Sequence, residues 1–267
     1  MAFQSKTVPE EILKVEELTV AFGGFKAITD LNFSLERGEL RVVIGPNGAG
    51  KTTLLDAISG FAALADGRVV LGGDDVTREL PYRRARRGLA RSFQDARLFP
   101  SLTVRETLLG AFHPGFACGT VSEALTLPPA RREEKAAHAA VDELMAMVDL
   151  DRYLDYRISE LSFGTTRAVE LAWLAARRPA VLLMDEPAAG LQQSEVRALG
   201  PLIDRIRRGA AVVLIDHDVP FVAGVVHRLV AMNLGQIVAD GSVDEVLGHP
   251  AVIESYLGGQ QYVGTRP

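Results

Sequence analysis

The sequence predicts an α/β fold with a largely parallel sheet, an antiparallel β region at its front and a helical insertion in its middle. Three observations lead there. Short apolar runs bounded by turn residues recur at 41–44, 68–71, 181–184, 211–215 and 229–233, and their length and β-branched content suit strands. Helix-like segments lie between several of them, at 51–61 and 195–208, and strands alternating with helices build a parallel sheet. From about Asp95 to Glu160 the pattern changes and no strand run is found.

Taken in order, residues 13–22 and 27–35 are two alternating runs separated by Gly23-Gly24, which reads as an antiparallel hairpin. The middle holds a helical run at 103–111, a Pro/Gly-broken stretch at 113–129 and a long segment at 130–147 rich in Ala, Glu, Arg and Leu. A second strongly helical run, 168–178, leads directly into the apolar run at 181–184. Residues 243–259 read as a terminal helix and its cap, and the polar tail 258–267 is expected to fray.

Composition bounds what such a chain can do. At about 150 residues per domain, 267 residues make one to two domains. Hydrophobic residues are 48% and charged residues 24%, which excludes disordered, collagen-like and coiled-coil readings. The net charge is −5 and the pI about 5.6, so no overall basic field awaits nucleic acid, and none is expected as a partner. A single cysteine, Cys118, forms no internal bridge and suits a reducing, cytosolic compartment. No stretch approaches the roughly 18 apolar residues that cross a bilayer. The first residues, MAFQSKTVPEEIL, lack the basic start and apolar core of a signal peptide. Any membrane role is therefore expected to come through a partner.

The sharpest motif is Gly45-Pro46-Asn47-Gly48-Ala49-Gly50-Lys51-Thr52, which fits G-x-x-x-x-G-K-[ST]. Its context fits too, with Val42-Val43-Ile44 before it and the helix-like run from Thr53 after it. Glycines let backbone N–H groups turn inward around phosphate oxygens, and the helix start adds partial positive charge. Lys51 is placed to reach β- and γ-phosphates and the Thr52 hydroxyl to ligate Mg²⁺. This much says P-loop nucleotide binder, with kinases, GTPases and ATPases still open.

The run at 181–184 ends in Asp185-Glu186-Pro187. Ligands of open α/β sheets sit beyond the carboxyl ends of the strands. Asp185 is then placed to hold Mg²⁺, and Glu186 to orient or deprotonate an attacking water. Two solvated carboxylates at a strand end are the plain alternative. A GTPase is expected to carry an N-K-x-D-type guanine reader, and none is present.

Leu161-Ser162-Phe163-Gly164-Thr165-Thr166-Arg167 precedes the helical run. Ser162 is a natural N-cap and Gly164 permits close backbone approach, so the helix start offers a second anion site. An ordinary capped helix reads the same way.

The order P-loop, Gln-containing turn, LS-x-G-x-x-R, DEP and late His resembles the ATP-binding cassette (ABC) ATPases, from Leu13 to about Leu257. Within them the chain is most similar to the ATPase subunits of branched-chain amino-acid importers. The segments that carry this are AFGGFKAITDLNFSLERGELRVVIGPNGAGKTTLLDAISG, RSFQDARLFPSLTVRETLL, DEPAAGL and HPAVIESYLGG. The resemblance implies a P-loop NTPase core of the ABC ATPase type, formed by 1–94 and 163–267, with a helical subdomain at 95–162. It implies ATP and Mg²⁺ as cofactors and ATP hydrolysis as the activity. Phe22 would stack on adenine, unless it is a hairpin core residue. Residues Gly45 to Thr53 would cradle the phosphates. Thr52, Gln94 and Asp185 would serve the metal, and Gln94 would also touch the lytic water. Ser162 and Gly164 would contact the γ-phosphate held by an opposite subunit, and His217 the γ-phosphate of its own. Lys51, Gln94, Glu186 and His217 form the implied catalytic set.

The implied partners are integral membrane permease subunits, a second cassette in a homo- or heterodimer, and, indirectly, an extracytoplasmic substrate-binding protein. The implied location is the cytoplasmic face of the inner membrane, held peripherally. A permease helix would dock near 95–109, with Phe99, Pro100 and Leu102 as lining, unless those three only pack the insertion onto the core. The chain departs from the family at Phe163, at Thr165-Thr166 and at Gln192, which bears on dimer closure. Urea importers, lipid-extraction ATPases and soluble ABC proteins stay open as alternatives.

Overall fold

The computed structural model describes residues 11–92, 98–112, 128–216 and 228–257. The two front runs form β1 (Glu11–Phe22) and β2 (Phe25–Glu36), an antiparallel pair that turns through Gly23 and Gly24. Both glycines take positive φ, 52° and 91°, the mirror-image turn whose twist matches that of the strands. Leu13, Val15, Leu18 and Val20 bury one face of β1. The chain then enters β3 (Leu40–Ile44), buried at every position, and α1 (Lys51–Ser59).

Helix α1 stops short of the expected residue 61 because Gly60 is left-handed, with φ 82°. A buried arginine completes that end. Arg84, from α2 (Pro81–Arg86), donates to the carbonyls of Ala57 and Ile58 at 2.7 Å each. A cation at a helix C-terminus meets both the unpaired carbonyls and the negative end of the helix dipole.

The run at 68–71 lengthens to β4 (Asp66–Leu71) and pairs antiparallel with β1, so it leaves the alternating α/β series and joins the front sheet. The reason is visible in its burial. Val69 and Leu71 are buried while Arg68 is exposed and Val70 half-buried, which suits a sheet with one wet face. With the short β5 (Asp74–Asp75) the order is β2-β1-β4-β5.

The second sheet has the order β10-β9-β3-β8-β7-β6. Its members are β6 (Leu89–Arg91), β7 (Val181–Asp185), β8 (Ala211–Ile215), β9 (Arg228–Asn233) and β10 (Gln236–Gly241). The five strands β9, β3, β8, β7 and β6 run parallel, and β10 closes one edge antiparallel. β3, β7 and β8 are buried throughout, as continuous apolar runs covered on both faces must be. One core lies between the two sheets and includes Leu54, Leu55 and Ile58 of α1.

The insertion is helical as expected: α3 (Val104–Phe112), α4 (Pro128–Met147), and single turns at Asp151–Tyr153 and Ile158–Glu160. Among its described residues the sole β contact is the isolated bridge Thr103–Arg157. Its core joins Val104 and Leu108 to Val141 and Met145, and to Val169 and Ala172 of α5 (Phe163–Ala176). The opposite face of α5 packs on the parallel sheet with α6 (Gln193–Arg207). One helix therefore serves two cores. Helix α6 begins two residues earlier than its apolar pattern, since Gln192 and Glu195 form a capping box there. The chain ends its described course with α7 (Val243–Leu247), α8 (Pro250–Val252) and a turn at Ile253–Leu257. Among the described residues no helix is long and apolar enough to cross a membrane. Cys118 and the tail 258–267 lie outside the described residues.

Candidate functional site

The glycine-rich loop leaves β3 at its carboxyl end and enters α1. Gly45, with φ 155°, sits where any Cβ would collide with the Met232 carbonyl oxygen. Gly50, at φ 98°, caps α1 in the left-handed region, and a Cβ there would lie 2.8 Å from the Ala27 carbonyl oxygen. These two glycines are demanded by close backbone approach and by backbone sign together. The loop is clasped from behind by the Leu234-Gly235 turn. Gly235 donates its N–H to the Ala49 carbonyl at 3.0 Å and accepts from Thr29 at 3.1 Å. Leu234 and Gly235 both take positive φ, 47° and 77°, as a two-residue hairpin turn requires. Asn47, Gly48 and Thr52 face solvent, and Pro46 and Thr53 are half-buried.

Lys51 folds back over the loop. Its Nζ donates to the carbonyls of Gly45 at 2.8 Å and Pro46 at 3.0 Å. Burial pushes its ammonium below the ordinary lysine value, while Glu186 and Asp185 oppose that shift. The same electrostatic coupling ties the loop to the two acids at the end of β7.

Asp185 is buried, with 8% of its surface exposed. The Thr52 side chain helps to hold its carboxyl in the charged form, and Arg91 Nη2 stands 3.8 Å from its Oδ2. Burial raises its carboxyl above the usual aspartate range, and Arg91 is the chief opposing influence. Its backbone N–H donates to Ser92 Oγ at 3.3 Å. Arg91 is in turn anchored on α1, through Asp56 at 2.6 Å and Ser59 Oγ at 2.9 Å. Glu186 follows with φ 47°, and its N–H donates to the Ile215 carbonyl at 2.8 Å. Such a conformation in a non-glycine residue costs on the order of 1–3 kcal/mol and gathers at functional sites. It breaks the strand alternation, so Glu186 does not continue the pleat from Asp185. Nearby, the buried Asp216 accepts from the Ala188 N–H at 3.3 Å.

Lys51, Thr52, Asp185 and Glu186 thus come together at the carboxyl ends of β3 and β7. Ser162 and Gly164 do not join them within this chain. Ser162 caps α5, accepting from the Thr165 N–H at 3.2 Å, and its hydroxyl lies 3.4 Å from Glu195 Oε1. Gly164 packs against the same Glu195 side chain, which leaves no space for a Cβ. Glu195 also accepts from the Gln192 N–H at 3.0 Å, so two of the positions noted above share one carboxylate. Phe22 is 55% exposed beside Phe25 at the hairpin tip, and is not a core residue. Phe99 and Pro100 are exposed and Leu102 is half-buried. Gln94 and His217 lie outside the described residues.

Several positioning residues were given no role from the sequence, although Arg167 closes the LS-x-G-x-x-R motif. Arg167 is buried and pairs with buried Glu170 at 2.6 Å. It also reaches the carbonyls of Asp185 and Pro187, both at 3.4 Å, tying α5 to the acidic strand end. Arg91 and Ser92 head the RSFQ segment that carries the family resemblance, but their residue types gave no sign of a role at the acidic strand end. The Leu234-Gly235 turn did carry one, a glycine between two apolar runs.

Oxygen donors from one hydroxyl and one carboxylate, Thr52 and Asp185, suit a hard cation such as Mg²⁺. Among the described residues no cluster of three His, Cys, Asp or Glu competes with them as a metal site. That also fits Mg²⁺, which is usually held by one or two carboxylates together with substrate phosphates.

Comparison with known proteins agrees with this geometry. The ABC transporter family matches residues 28–189, and a branched-chain amino acid ATP-binding cassette transporter family matches 236–261. The chain is 34% identical to the high-affinity branched-chain amino acid transport ATP-binding protein BraF of Pseudomonas aeruginosa, covering 92% of this chain and 98% of that one. It is 35% identical to the corresponding protein LivG of Escherichia coli, covering 93% and 98%. Among solved structures it resembles the ADP conformation of an ABC transporter's ATP-binding cassette, with TM-score 0.79, 29% identity, and 94% and 100% of the two chains covered. A nucleotide-free cassette matches with TM-score 0.77, again at 29% identity, covering 92% and 98%. With a glycine loop, a buried aspartate and a strained glutamate meeting at the strand ends, the chain belongs to the ABC transporter family and is one of its ATP-binding, ATP-hydrolysing cassettes.

Proposed function

We propose that this cassette powers import of branched-chain amino acids, working against membrane permease subunits at the cytoplasmic face of the membrane. The match of residues 236–261 to the branched-chain amino acid cassette family carries the cargo reading. Two cassettes, alike or different, sandwich two nucleotides. Each nucleotide lies between one P-loop and the Ser162–Gly164 helix start of the opposite subunit. An extracytoplasmic binding protein delivers the cargo to the permeases.

In this reading residues 1–94 and 163–267 form the nucleotide-binding core and 95–162 the helical subdomain. Phe22 stacks on adenine, and the backbone from Gly45 to Thr53 wraps the phosphates. Thr52, Asp185 and Gln94 hold Mg²⁺, which when bound neutralises charge on the β- and γ-oxygens. Glu186 orients and deprotonates the in-line water. Lys51, His217 and the opposite helix start offset charge on the transferring phosphoryl. Once the γ-phosphate leaves, the contacts that hold the sandwich are lost and it opens. The exposure of Phe99 supports a docking role for the 95–109 region.

Lys51→Ala removes an ammonium that folds over the loop. Charge-assisted hydrogen bonds contribute about 1.5–3 kcal/mol, so ATP affinity should fall roughly tenfold to a hundredfold. Equilibrium titration checks it, and unchanged affinity contradicts the P-loop assignment. For the transport reading, the tagged protein is recovered from gently solubilised native membranes and its companions identified by mass spectrometry. Two multispanning permeases and a second cassette are expected. A urea permease or a lipid-extraction partner would reassign the cargo. Soluble partners or ribosomes alone would overturn transport and leave the ATPase chemistry standing.

A further inference from the structure

We propose that the chain carries a second ligand site, for a single-chain amphipathic anion, on the edge of the parallel sheet opposite the nucleotide loop. The site is a cleft of about 840 Å³ walled by α2, α4 and the ends of α3 and α5. Its floor is alanine, including Ala137, Ala140 and Ala176, and its rim is Arg86, Arg87, Arg177 and Arg178. No carboxylate is among the described residues that line it. A chain of net charge −5 draws anions by no general field, so this concentration of arginine acts locally.

The arginines are not equivalent. Arg87 is already neutralised by Asp74 at 2.6 Å and Glu79 at 2.7 Å. Arg86 lies over the Tyr82 ring at 5.9 Å and Arg177 over Trp173 at 5.4 Å. An aromatic face steadies a guanidinium without cancelling its charge, and leaves its planar donor fork for an oxyanion. Arg178 sits at φ 48° in the turn between α5 and β7. Among the described residues Arg86, Arg177 and Arg178 have no carboxylate partner.

At Phe112, Ala140, Ala176 and Arg178 the basic cleft shares a wall with a second cleft of about 340 Å³. That second cleft is lined chiefly by apolar side chains, Leu144, Val148, Leu202 and Ile206 among them, with Glu143 and Arg205 also on its wall. Its size lies within the about 300–1,000 Å³ of small-molecule sites. An apolar cleft beside an arginine-rimmed one, with Arg178 on the wall of both, matches a ligand with an apolar chain and an anionic head. Inorganic phosphate or a nucleotide would leave the apolar cleft unused, and a neutral amphiphile would leave the arginines unused.

Topology separates this site from the nucleotide loop. Gly88 and Ala180, which line it, precede β6 and β7, whereas the loop and Asp185 stand at carboxyl ends of parallel strands. Filling one therefore does not block the other.

The probe is dodecyl phosphate below its micelle concentration, titrated calorimetrically into the full chain saturated with ADP so that the loop is occupied. Saturable binding at one site is expected, at least about tenfold tighter than inorganic phosphate or a neutral dodecyl glycoside. Arg177→Gln with Arg178→Gly should weaken it by about tenfold or more. Glycine suits the positive φ at 178, and unchanged ATP hydrolysis shows the variant is folded. Ala140→Leu, at the wall that the two clefts share, should weaken the dodecyl compound and spare inorganic phosphate. Equal affinity for inorganic phosphate, unaltered binding to the double variant, or adsorption to phosphatidylglycerol vesicles without binding of the monomer would each overturn the proposal.

Discussion

Glu186→Gln is expected to bind ATP as the parent does and to hydrolyse it at least ~10²-fold more slowly, the typical contribution of a positioned general base. The substitution keeps shape and removes only the ability to take a proton. Backbone strain at φ 47° is borne equally by either side chain, so the turn after β7 should survive. The anchoring hydrogen bond from its N–H to Ile215 is a main-chain contact and is untouched. Lys51 and Asp185, the charged neighbours of the loop, also stay in place. Binding and chemistry should therefore separate. Nucleotide titration should give the parent affinity, while phosphate release in a single turnover drops. Turnover close to the parent value would remove Glu186 from the base role and leave it as a strained turn residue.

The second large effect is on stability. Arg167 and Glu170 are both buried and paired at 2.6 Å. Arg167→Ala leaves a carboxylate in the protein interior without its guanidinium. Breaking such a pair costs about 3–5 kcal/mol. Urea unfolding should show a lower midpoint with the slope little changed. The double change Arg167→Met with Glu170→Leu removes both charges and keeps volume, and should recover most of the loss, because apolar replacements of buried pairs are often neutral or better. Recovered stability need not restore activity. The guanidinium also reaches the Asp185 and Pro187 carbonyls, so the double variant should fold firmly and still turn over more slowly than the parent. A single variant as stable as the parent would mean that the carboxylate finds other compensation.

How much of this was legible beforehand differs from residue to residue. The parallel strands were readable because burial on both faces forces unbroken apolar runs, as at 181–184 and 211–215. Strand β6 was missed because three residues, Leu89–Arg91, carry no period. The run at 68–71 was found, but its sheet was not, since strand length alone does not say which neighbour it pairs with. The helix start at Ser162 was legible from its residue type, and the hydrogen bond from the Thr165 N–H is the one an N-cap makes.

The phosphate loop, the acidic pair and the family were determined by the sequence by itself. They depend on contiguous residues whose chemistry and spacing act locally: glycines for backbone freedom, a lysine at the helix start, carboxylates at a strand end. The tertiary structure alone decided what holds that loop in shape and what sets its charges. Gly45 is required by the Met232 carbonyl and Gly50 by Ala27, both far away in the chain. Asp185 is governed by Arg91 and Thr52, and the end of its strand by Arg167. The arginine cleft draws on four separate segments. Hydrogen bonds, steric exclusion and Coulomb interaction act across a few ångströms of space, and only the fold brings residues so distant in sequence within that range.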